Sequence, residues 1–213
     1  MNTALTIRNL SVAYEDRLVL DSLDLEVRGG ELVCVCGESG CGKTSLLNAI
    51  MGFVDHEGEI LFNGTRLTED TIGELRKNVV YIPQELNLPI DTVAEMVHLP
   101  FTLKANRHIR FDRQRLMADW EILGLEPELY ERRVAEISGG QRQRMMVSVA
   151  GMLHKPLILV DEPTSALDIK SADNVLAYFR KLCTEEDVAV LAISHHRNFA
   201  VGCDRRAELA GNR

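Results

Sequence analysis

Apolar and polar residues alternate with a period of two over residues 1–30, which is the pattern of half-buried β-strands. Gly29 closes this region, and the apolar run ELVCVC over Glu31–Cys36 predicts a short buried strand. The period becomes helical over Lys43–Met51, and Gly52 stands where a C-terminal cap is expected. The positions that carry these patterns are Leu5, Ile7, Leu23, Leu25 and Val27 for the strands and Leu46, Leu47 and Ile50 for the helix.

Short strands and helices continue along the rest of the chain. Gly58–Phe62 followed by Asn63 and Gly64 predicts a strand entering a tight hairpin, because Asn-Gly accommodates the positive φ angles of a type I′ turn. The other predicted elements are strands at Val79–Ile82, Leu157–Val160 and Val188–Ile193 and helices at Gln141–Leu153 and Lys170–Thr184.

Residues 85–136 differ from the segments on either side, because they are richer in Arg and Glu and have helical periodicity. We expect three prolines to divide this stretch into short helices: Pro89, Pro100 and Pro127. Strands alternating with helices around it predict a mainly parallel α/β core. We therefore predict an α/β fold whose core, with an N-terminal antiparallel β-subdomain, comprises residues 1–84 and 155–213, and whose inserted helical subdomain comprises residues 85–154.

Composition and charge narrow the classes of function. The chain has 213 residues, of which 46% are hydrophobic, so it is long enough to bury a core without disulfides or metals. Its 24 Lys and Arg against 32 Asp and Glu give a net charge of −8, which disfavours sequence-independent binding of nucleic acid. The N-terminus has no apolar signal region, and no stretch approaches the roughly 18 apolar residues of a membrane span. Any membrane role is therefore expected to come through a partner.

The five cysteines do not have the spacing of a disulfide framework. Cys34 and Cys36 are two positions apart in a predicted strand, so they face the same side, and neighbours on one strand face seldom form a disulfide. We expect all five to be reduced thiols, as is usual in the cytosol.

A glycine-rich motif follows the predicted strand that ends at Cys36. Gly37–Thr44 reads GESGCGKT and matches GxxxxGK[ST] in full, between a strand and a helix. Backbone N–H groups of such a loop converge on phosphates, and the start of the following helix adds a partial positive charge. Lys43 supplies a point charge for the phosphates, Thr44 offers a hydroxyl group to Mg²⁺, and Cys41 is expected to be a small filler within the loop.

Two carboxylates end the apolar run Leu157–Val160. A buried strand delivers Asp161 and Glu162 to the edge of the sheet where ligands of open α/β sheets bind. We expect Asp161 to bind Mg²⁺ through water and Glu162 to act as general base on the attacking water.

A second candidate anion site opens the helix after the middle segment. Ser138, Gly139, Gly140 and Gln141 follow Ile137 at a predicted helix start, where free N–H groups and the helix dipole favour a negative charge. The alternative is a simple N-terminal cap, since Ser and Gly also cap helices.

The motifs GESGCGKT, ISGGQRQR, LILVDEP, SALD and ISHH occur in this order, and together they resemble the ATP-binding subunits of ABC transporters over essentially the whole chain. This resemblance implies a P-loop NTPase core of the RecA type that binds ATP with Mg²⁺. It also implies that two subunits pack head to tail, so that the glycine loop of one and the ISGGQ segment of the other hold the same ATP.

The resemblance assigns the following expected roles. The residues that would contact ATP are Tyr14 against the adenine and Gly37, Ser39, Gly40, Cys41, Gly42, Lys43, Thr44, Ser45, Ser138, Gly139, Gly140 and Gln141 around the phosphates. The residues that would act in hydrolysis are Glu162, His195, Lys43 and Gln84, and those that would contact Mg²⁺ are Thr44, Gln84 and Asp161. Ser165–Asp168 resembles the loop that crosses between subunits behind the γ-phosphate.

Two positions depart from the family pattern. Ile137 replaces the usual Leu of the ISGGQ segment, and His196 stands where Asp is more usual. The register after the strand favours His195 over His196 as the residue that faces the γ-phosphate.

The resemblance implies two partners: a second copy or a homologous ATP-binding subunit, and a membrane-spanning permease that holds the chain on the cytoplasmic face of the cell membrane. The stretch Asp91–Phe101 is similar to small FetA-type subunits linked to iron export. The alternatives are a soluble ABC ATPase outside transport and a nucleotide-binding regulatory module without turnover. Since ISGGQ disfavours a P-loop small-molecule kinase, that class is set aside.

Overall fold

The computed structural model describes residues 2–15, 17–38, 40–85 and 89–209. The strands are β1 (Thr3–Tyr14), β2 (Arg17–Arg28), β3 (Leu32–Cys36), β4 (Glu57–Phe62), β5 (Thr65–Arg66), β6 (Val79–Ile82), β7 (Leu157–Asp161), β8 (Ala189–Ile193) and β9 (Arg205–Glu208). The helices are α1 (Lys43–Ile50), α2 (Ile72–Asn78), α3 (Val93–Thr102), α4 (Arg113–Ile122), α5 (Gly139–Met152), α6 (Ile169–Glu186) and α7 (Arg197–Gly202), with 3₁₀ turns at Pro127–Glu131 and Val134–Glu136.

These elements build two sheets, which confirms the predicted α/β class. Within the described ranges, one sheet is antiparallel in the order β2-β1-β4-β5 and the other is parallel in the order β6-β7-β8-β3-β9. The predicted Asn-Gly hairpin joins β4 to β5, with φ angles of 48° at Asn63 and 77° at Gly64. Chain order β3-α1 and β7-α6 places the loops that leave β3 and β7 at one edge of the parallel sheet.

The core has two layers, one on each face of the parallel sheet. Val33 and Val35 of β3 pack with the antiparallel sheet and α1, whereas Leu32 and Cys34 pack with the helices. Strand β7 divides in the same way, with Leu157 and Leu159 on one side and Ile158 and Val160 on the other. This two-sided burial explains why both strands are continuous apolar runs in the sequence.

Helices α3, α4 and α5 occupy the middle of the chain and share the helical layer of the core. Pro100 lies inside α3, so the prediction that it divides the middle segment was wrong. The neighbouring Phe101 is buried, and its ring packs edge-on against Phe111 with centroids 5.3 Å apart, so tertiary packing stabilises the last turn despite the missing N–H. None of the described helices combines the length and the apolar character needed to cross a bilayer.

Candidate active site

The loop Gly37–Thr44, which we call the cradle, leads from β3 into α1. Gly42 caps α1 with a φ of 97°, and a Cβ there would lie 2.8 Å from side-chain carbons of Val19 and Leu20, so only glycine fits. Lys43 Nζ donates to the carbonyl oxygens of Gly37 at 2.9 Å and of Glu38 at 2.8 Å. The buried ammonium group is therefore held inside the loop by the loop's own backbone.

Two side-chain oxygens meet at the mouth of the cradle. Thr44 Oγ1 donates to Asp161 Oδ2 at 3.0 Å, although the two residues are far apart in the chain. Burial and the neighbouring charge of Glu162 raise the pKa of Asp161 above its ordinary value. A divalent cation would favour the ionised form, and oxygen atoms are the ligands that Mg²⁺ prefers. The pair fits a Mg²⁺ ion that takes its remaining ligands from phosphate and water, and no cluster of three or more metal-binding side chains occurs in the described part of the chain.

Glu162 follows directly and has a strained backbone. Its φ is 50°, a left-handed conformation that is uncommon outside glycine and clusters at functional sites. His195 Nδ1 lies 2.8 Å from Glu162 Oε1, and the His195 backbone N–H donates to Glu162 Oε2 at 3.4 Å. The strand register thus places His195 at the carboxylate, while the neighbouring His196 has a buried Nε2 with no hydrogen-bond partner in the described residues.

These groups line one cleft of about 700 Å³. The lining residues are Tyr14, Arg17, Val19, Gly37, Glu38, Gly40, Gly42, Lys43, Thr44, Ser45, Gln84, Asp161, Glu162 and His195. Tyr14 is 43% exposed, and its hydroxyl group donates to Ser45 Oγ at 3.3 Å. Cys41 is buried beneath the loop, as a filler would be, and Ser39 lies outside the described residues.

Arg17 is a lining residue that sequence reasoning missed. It pairs with Tyr14 across the hairpin between β1 and β2, so both residues reach the same edge of the cleft. The short gap between two alternating segments could have indicated this pairing, because a tight hairpin sets the register of its strands.

The segment Ser138–Gln141 lies apart from the lining of the cleft. Ser138 Oγ accepts from the Gln141 N–H at 3.1 Å, and Gln141 Oε1 accepts from the Ser138 N–H at 2.8 Å, which is a complete capping box at the start of α5. A Cβ at Gly139 would meet nothing within 4 Å, so packing inside the described chain does not require glycine there. The segment therefore caps its helix, and it also leaves an open glycine surface, so the anion-binding role stays a prediction.

Gln143 is a second residue that sequence reasoning missed. It is buried, and its Nε2 donates to the Glu162 carbonyl oxygen at 2.8 Å. Its spacing from Gly139 and Gly140 is one helical turn, which places it on the same side of α5 as the open glycine surface. That spacing is the signal by which the sequence could have indicated it.

All five cysteines are free thiols. Cys34 and Cys36 do face the same side of β3, with their Sγ atoms 3.5 Å apart. Hydrogen bonding to Cys203 and burial raise the pKa of Cys34, and burial raises the pKa of Cys36 to about 12. Such thiols are poor nucleophiles at neutral pH.

Comparison with protein families finds the ABC transporter model matched over residues 20–165. Among curated proteins, the chain is 33% identical over 202 residues to an ATP-dependent lipid A-core flippase of Pseudomonas fluorescens, covering 90% of this chain and 33% of that protein. It is 30% identical over 207 residues to the uncharacterized ABC transporter ATP-binding protein MJ0796 of Methanocaldococcus jannaschii, covering 91% and 88%. The chain thus spans only part of some relatives: 33% of the length of the flippase, and 52% of a glycine betaine/carnitine/choline transport ATP-binding protein of Bacillus subtilis.

The fold is also similar to that of solved ATP-binding cassettes. A dimeric post-hydrolysis state of the ATP-binding cassette MJ0796 bound to ADP and Pi superposes with a TM-score of 0.84 at 27% identity, covering 97% of this chain and 94% of that one. A second dimeric structure of MJ0796 superposes with a TM-score of 0.82 at 27% identity, covering 96% and 94%.

Proposed function

The chain belongs to the ABC transporter family and is one of its ATPase cassettes, and on that premise we propose that two such chains close around two ATP molecules to energise transport through a separate membrane-spanning partner. Each chain would supply the cradle for one ATP and the segment Ser138–Gln141, hereafter the lid, for the other. The second chain is a copy of this one or a homologous subunit.

One observation carries this proposal: the chain has two places suited to phosphate, and they do not face the same cleft. The cradle and the two carboxylates line the cleft, whereas the lid, at the start of α5, lies outside that lining and has an open glycine. A second chain packed head to tail would bring its lid over this cleft. The dimeric forms of MJ0796 support this arrangement by analogy.

In the proposed site, the chain's own groups act on the triphosphate and on water. Tyr14 would stack on the adenine, and Lys43 with the cradle N–H groups would hold the phosphates. Glu162 would accept a proton from the attacking water, and His195, bonded to it, would keep that carboxylate oriented. Thr44, Asp161 and Gln84 would hold Mg²⁺, which would offset charge on the phosphates.

A groove between the parallel sheet and the middle helices supports the proposal of a membrane partner. Its cavity of about 240 Å³ is bordered by Ile82 of β6, Leu103 after α3 and Met146 of α5. Lys155 also lines the groove, is only 7% exposed and has no ion pair in the described residues; burial lowers its pKa. An apolar groove with a buried cation suits an amphipathic segment that brings a carboxylate, and a permease loop is the segment we propose.

The cellular place and the cargo follow from the same proposal. A chain bound to a permease through this groove would lie on the cytoplasmic face of the membrane. The similarity of Asp91–Phe101 to FetA-type subunits leads us to propose metal ions as cargo. Uptake of iron into inverted vesicles that contain the chain and its co-purified permease would support this, and ATP-dependent transport of other cargo alone would reject it.

The shared site is tested by mixing two inactive chains. Lys43→Ala removes the cradle cation, and Ser138→Arg blocks the lid. Each variant alone should lose hydrolysis, whereas the mixture should regain about one working site per mixed dimer. Phosphate release that stays at background in the mixture, although both chains are folded, would reject the shared site.

A further inference from the structure

The carbonyl oxygen of Glu162 accepts hydrogen bonds from three donors. It accepts from Gln143 Nε2 at 2.8 Å, from the Ser165 N–H at 3.2 Å and from Ser165 Oγ at 3.2 Å. The carboxylate of the same residue contacts His195 in the cleft. One strained residue therefore faces the cleft with its side chain and faces α5 with its backbone.

The start of α5 packs closely on the loop that follows Glu162. A Cβ at Gly140 would lie 2.8 Å from Leu167 Cδ2 and 2.9 Å from the Ala166 carbonyl oxygen, so no side chain fits between the helix and this loop. The lid stands on the first turn of this helix, and Gln143 is one turn further along. The bond from Gln143 is therefore a buried polar link between the lid and the backbone that orients Glu162.

We propose that Gln143 is a positioning residue that couples the two sites of the dimer within one chain. Its amide links Glu162 to the lid of the same chain. Glu162 acts on the ATP in the chain's own cradle, whereas the lid contacts the ATP in the cradle of the partner chain. This inference rests on the proposed shared site. A change in the backbone of Glu162 at one site is passed through Gln143 to the lid of the other.

The amide is suited to this role because it is buried and makes a short bond. A buried donor that loses its acceptor is left without water to replace it, so α5 and Glu162 move together rather than separately. Gln143 does not line the nucleotide cleft, and it borders instead the small cavity of about 190 Å³ between Gln84, Gly139 and Ala166. Its loss should therefore lower kcat and leave the KM for ATP nearly unchanged.

The test uses the mixed dimer of Lys43→Ala and Ser138→Arg chains, which has one working site. That site takes its cradle and Glu162 from the Ser138→Arg chain and its lid from the Lys43→Ala chain. Gln143→Met, which keeps the length and removes the donor, is added first to one chain and then to the other. Coupling predicts that each placement lowers kcat about tenfold, the effect of losing one buried hydrogen bond.

A matched control is Ser148→Ala, which removes two other buried hydrogen bonds of α5, the one from Trp120 Nε1 at 3.1 Å and the one to the Met145 carbonyl oxygen at 2.6 Å. It should change kcat less than about twofold at similar loss of stability. Gln143→Leu, which removes the amide donor without adding a charge, is measured in parallel and decides the matter if the Met variant does not fold.

The outcomes separate the two proposals. If the parent mixture is inactive, the shared site is wrong and the coupling fails with it. If the parent mixture is active and Gln143→Met acts from one placement only, or resembles Ser148→Ala, the coupling is wrong and the shared site stands.

Discussion

The cradle and the lid are both glycine-rich helix starts, yet they are built differently. In the cradle, polar side chains are already held in place: Lys43 by two carbonyl oxygens and Thr44 by Asp161. In the lid, the side chains of Ser138 and Gln141 bond to each other's backbone, and a Cβ at Gly139 would meet nothing within 4 Å in the described residues. The polar groups of the cradle are therefore held by contacts within the chain, whereas the lid has an open surface that we propose a partner chain covers.

This difference teaches that the same local motif can serve two roles according to what surrounds it. A helix start with charged groups around it can bind and activate a phosphate. A helix start whose side chains are used for capping can only add N–H groups to a phosphate held by something else. Substitutions in the two regions should therefore separate catalysis from closure.

The largest effect is expected from the carboxylate beside the cradle. Glu162→Gln should lower hydrolysis on the order of 10²–10⁴-fold, because a general base is lost, while ATP still binds. Phosphate release and nucleotide binding measured on the same preparation check this. Glu128→Gln is the control, since Glu128 is exposed outside the cleft and undergoes the same change of charge. Hydrolysis that persists in Glu162→Gln would remove Glu162 from the role.

The next effect compares two neighbouring histidines. His195→Ala should lower kcat on the order of 10²-fold, because the contact with Glu162 at 2.8 Å is lost. His196→Ala should change kcat by less than about threefold, since only His195 lines the cleft. Steady-state hydrolysis of both variants decides the register, and the opposite order would assign the role to His196.

A third prediction tests whether the lid does more than cap its helix. Ser138→Ala removes the capping box of α5, and Thr92→Ala removes the equivalent box of α3, where the Thr92 side chain bonds to Glu95. Each should cost about 0.5–2 kcal/mol of stability in denaturant titrations. Only Ser138→Ala should also lower hydrolysis. If both variants hydrolysed ATP at the same rate, Ser138 would act only as a helix cap.

The smallest effect concerns the carboxylate of Asp161, whose pKa is raised by burial and by Glu162. A raised pKa means that the ionised form destabilises the fold in the absence of metal, so Asp161→Asn should raise the melting temperature at neutral pH. This gain in melting temperature should shrink as the pH falls. It should vanish below the pKa that Asp161 has in the unfolded chain, because Asp161 is then protonated in both the folded and the unfolded state. If Asp161→Asn melted at a lower temperature than the parent chain at neutral pH without metal, this prediction would be wrong. The same variant should also lose Mg²⁺-dependent hydrolysis.

The sequence predicted the fold well where a single physical cause acts. Strands β3 and β7 are continuous apolar runs because they are buried on both faces, and the Asn63-Gly64 hairpin follows from backbone conformation. Pro100 was misplaced because side-chain packing around Phe101 outweighs a lost N–H bond. Helices α2 and α7 and strand β9 were not predicted, since they are short and have weak periodicity.

The candidate site divides in the same way. Glycines and Lys43 are visible in the sequence because phosphate binding demands those residue types at that spacing. Arg17 and Gln143 were missed, because the sequence hints only at a hairpin and at a helix face, whereas their contacts depend on the hairpin register and on the approach of distant segments. Tertiary contacts of that kind have no local pattern.

The left-handed backbone of Glu162 has a consequence for any attempt to make this protein more thermostable. Asn and Gly adopt that conformation more readily than Glu, so a screen for heat resistance would favour replacing the residue that we propose as general base. Libraries for thermostable variants should hold position 162 constant, since the most thermostable clones would otherwise be the least active.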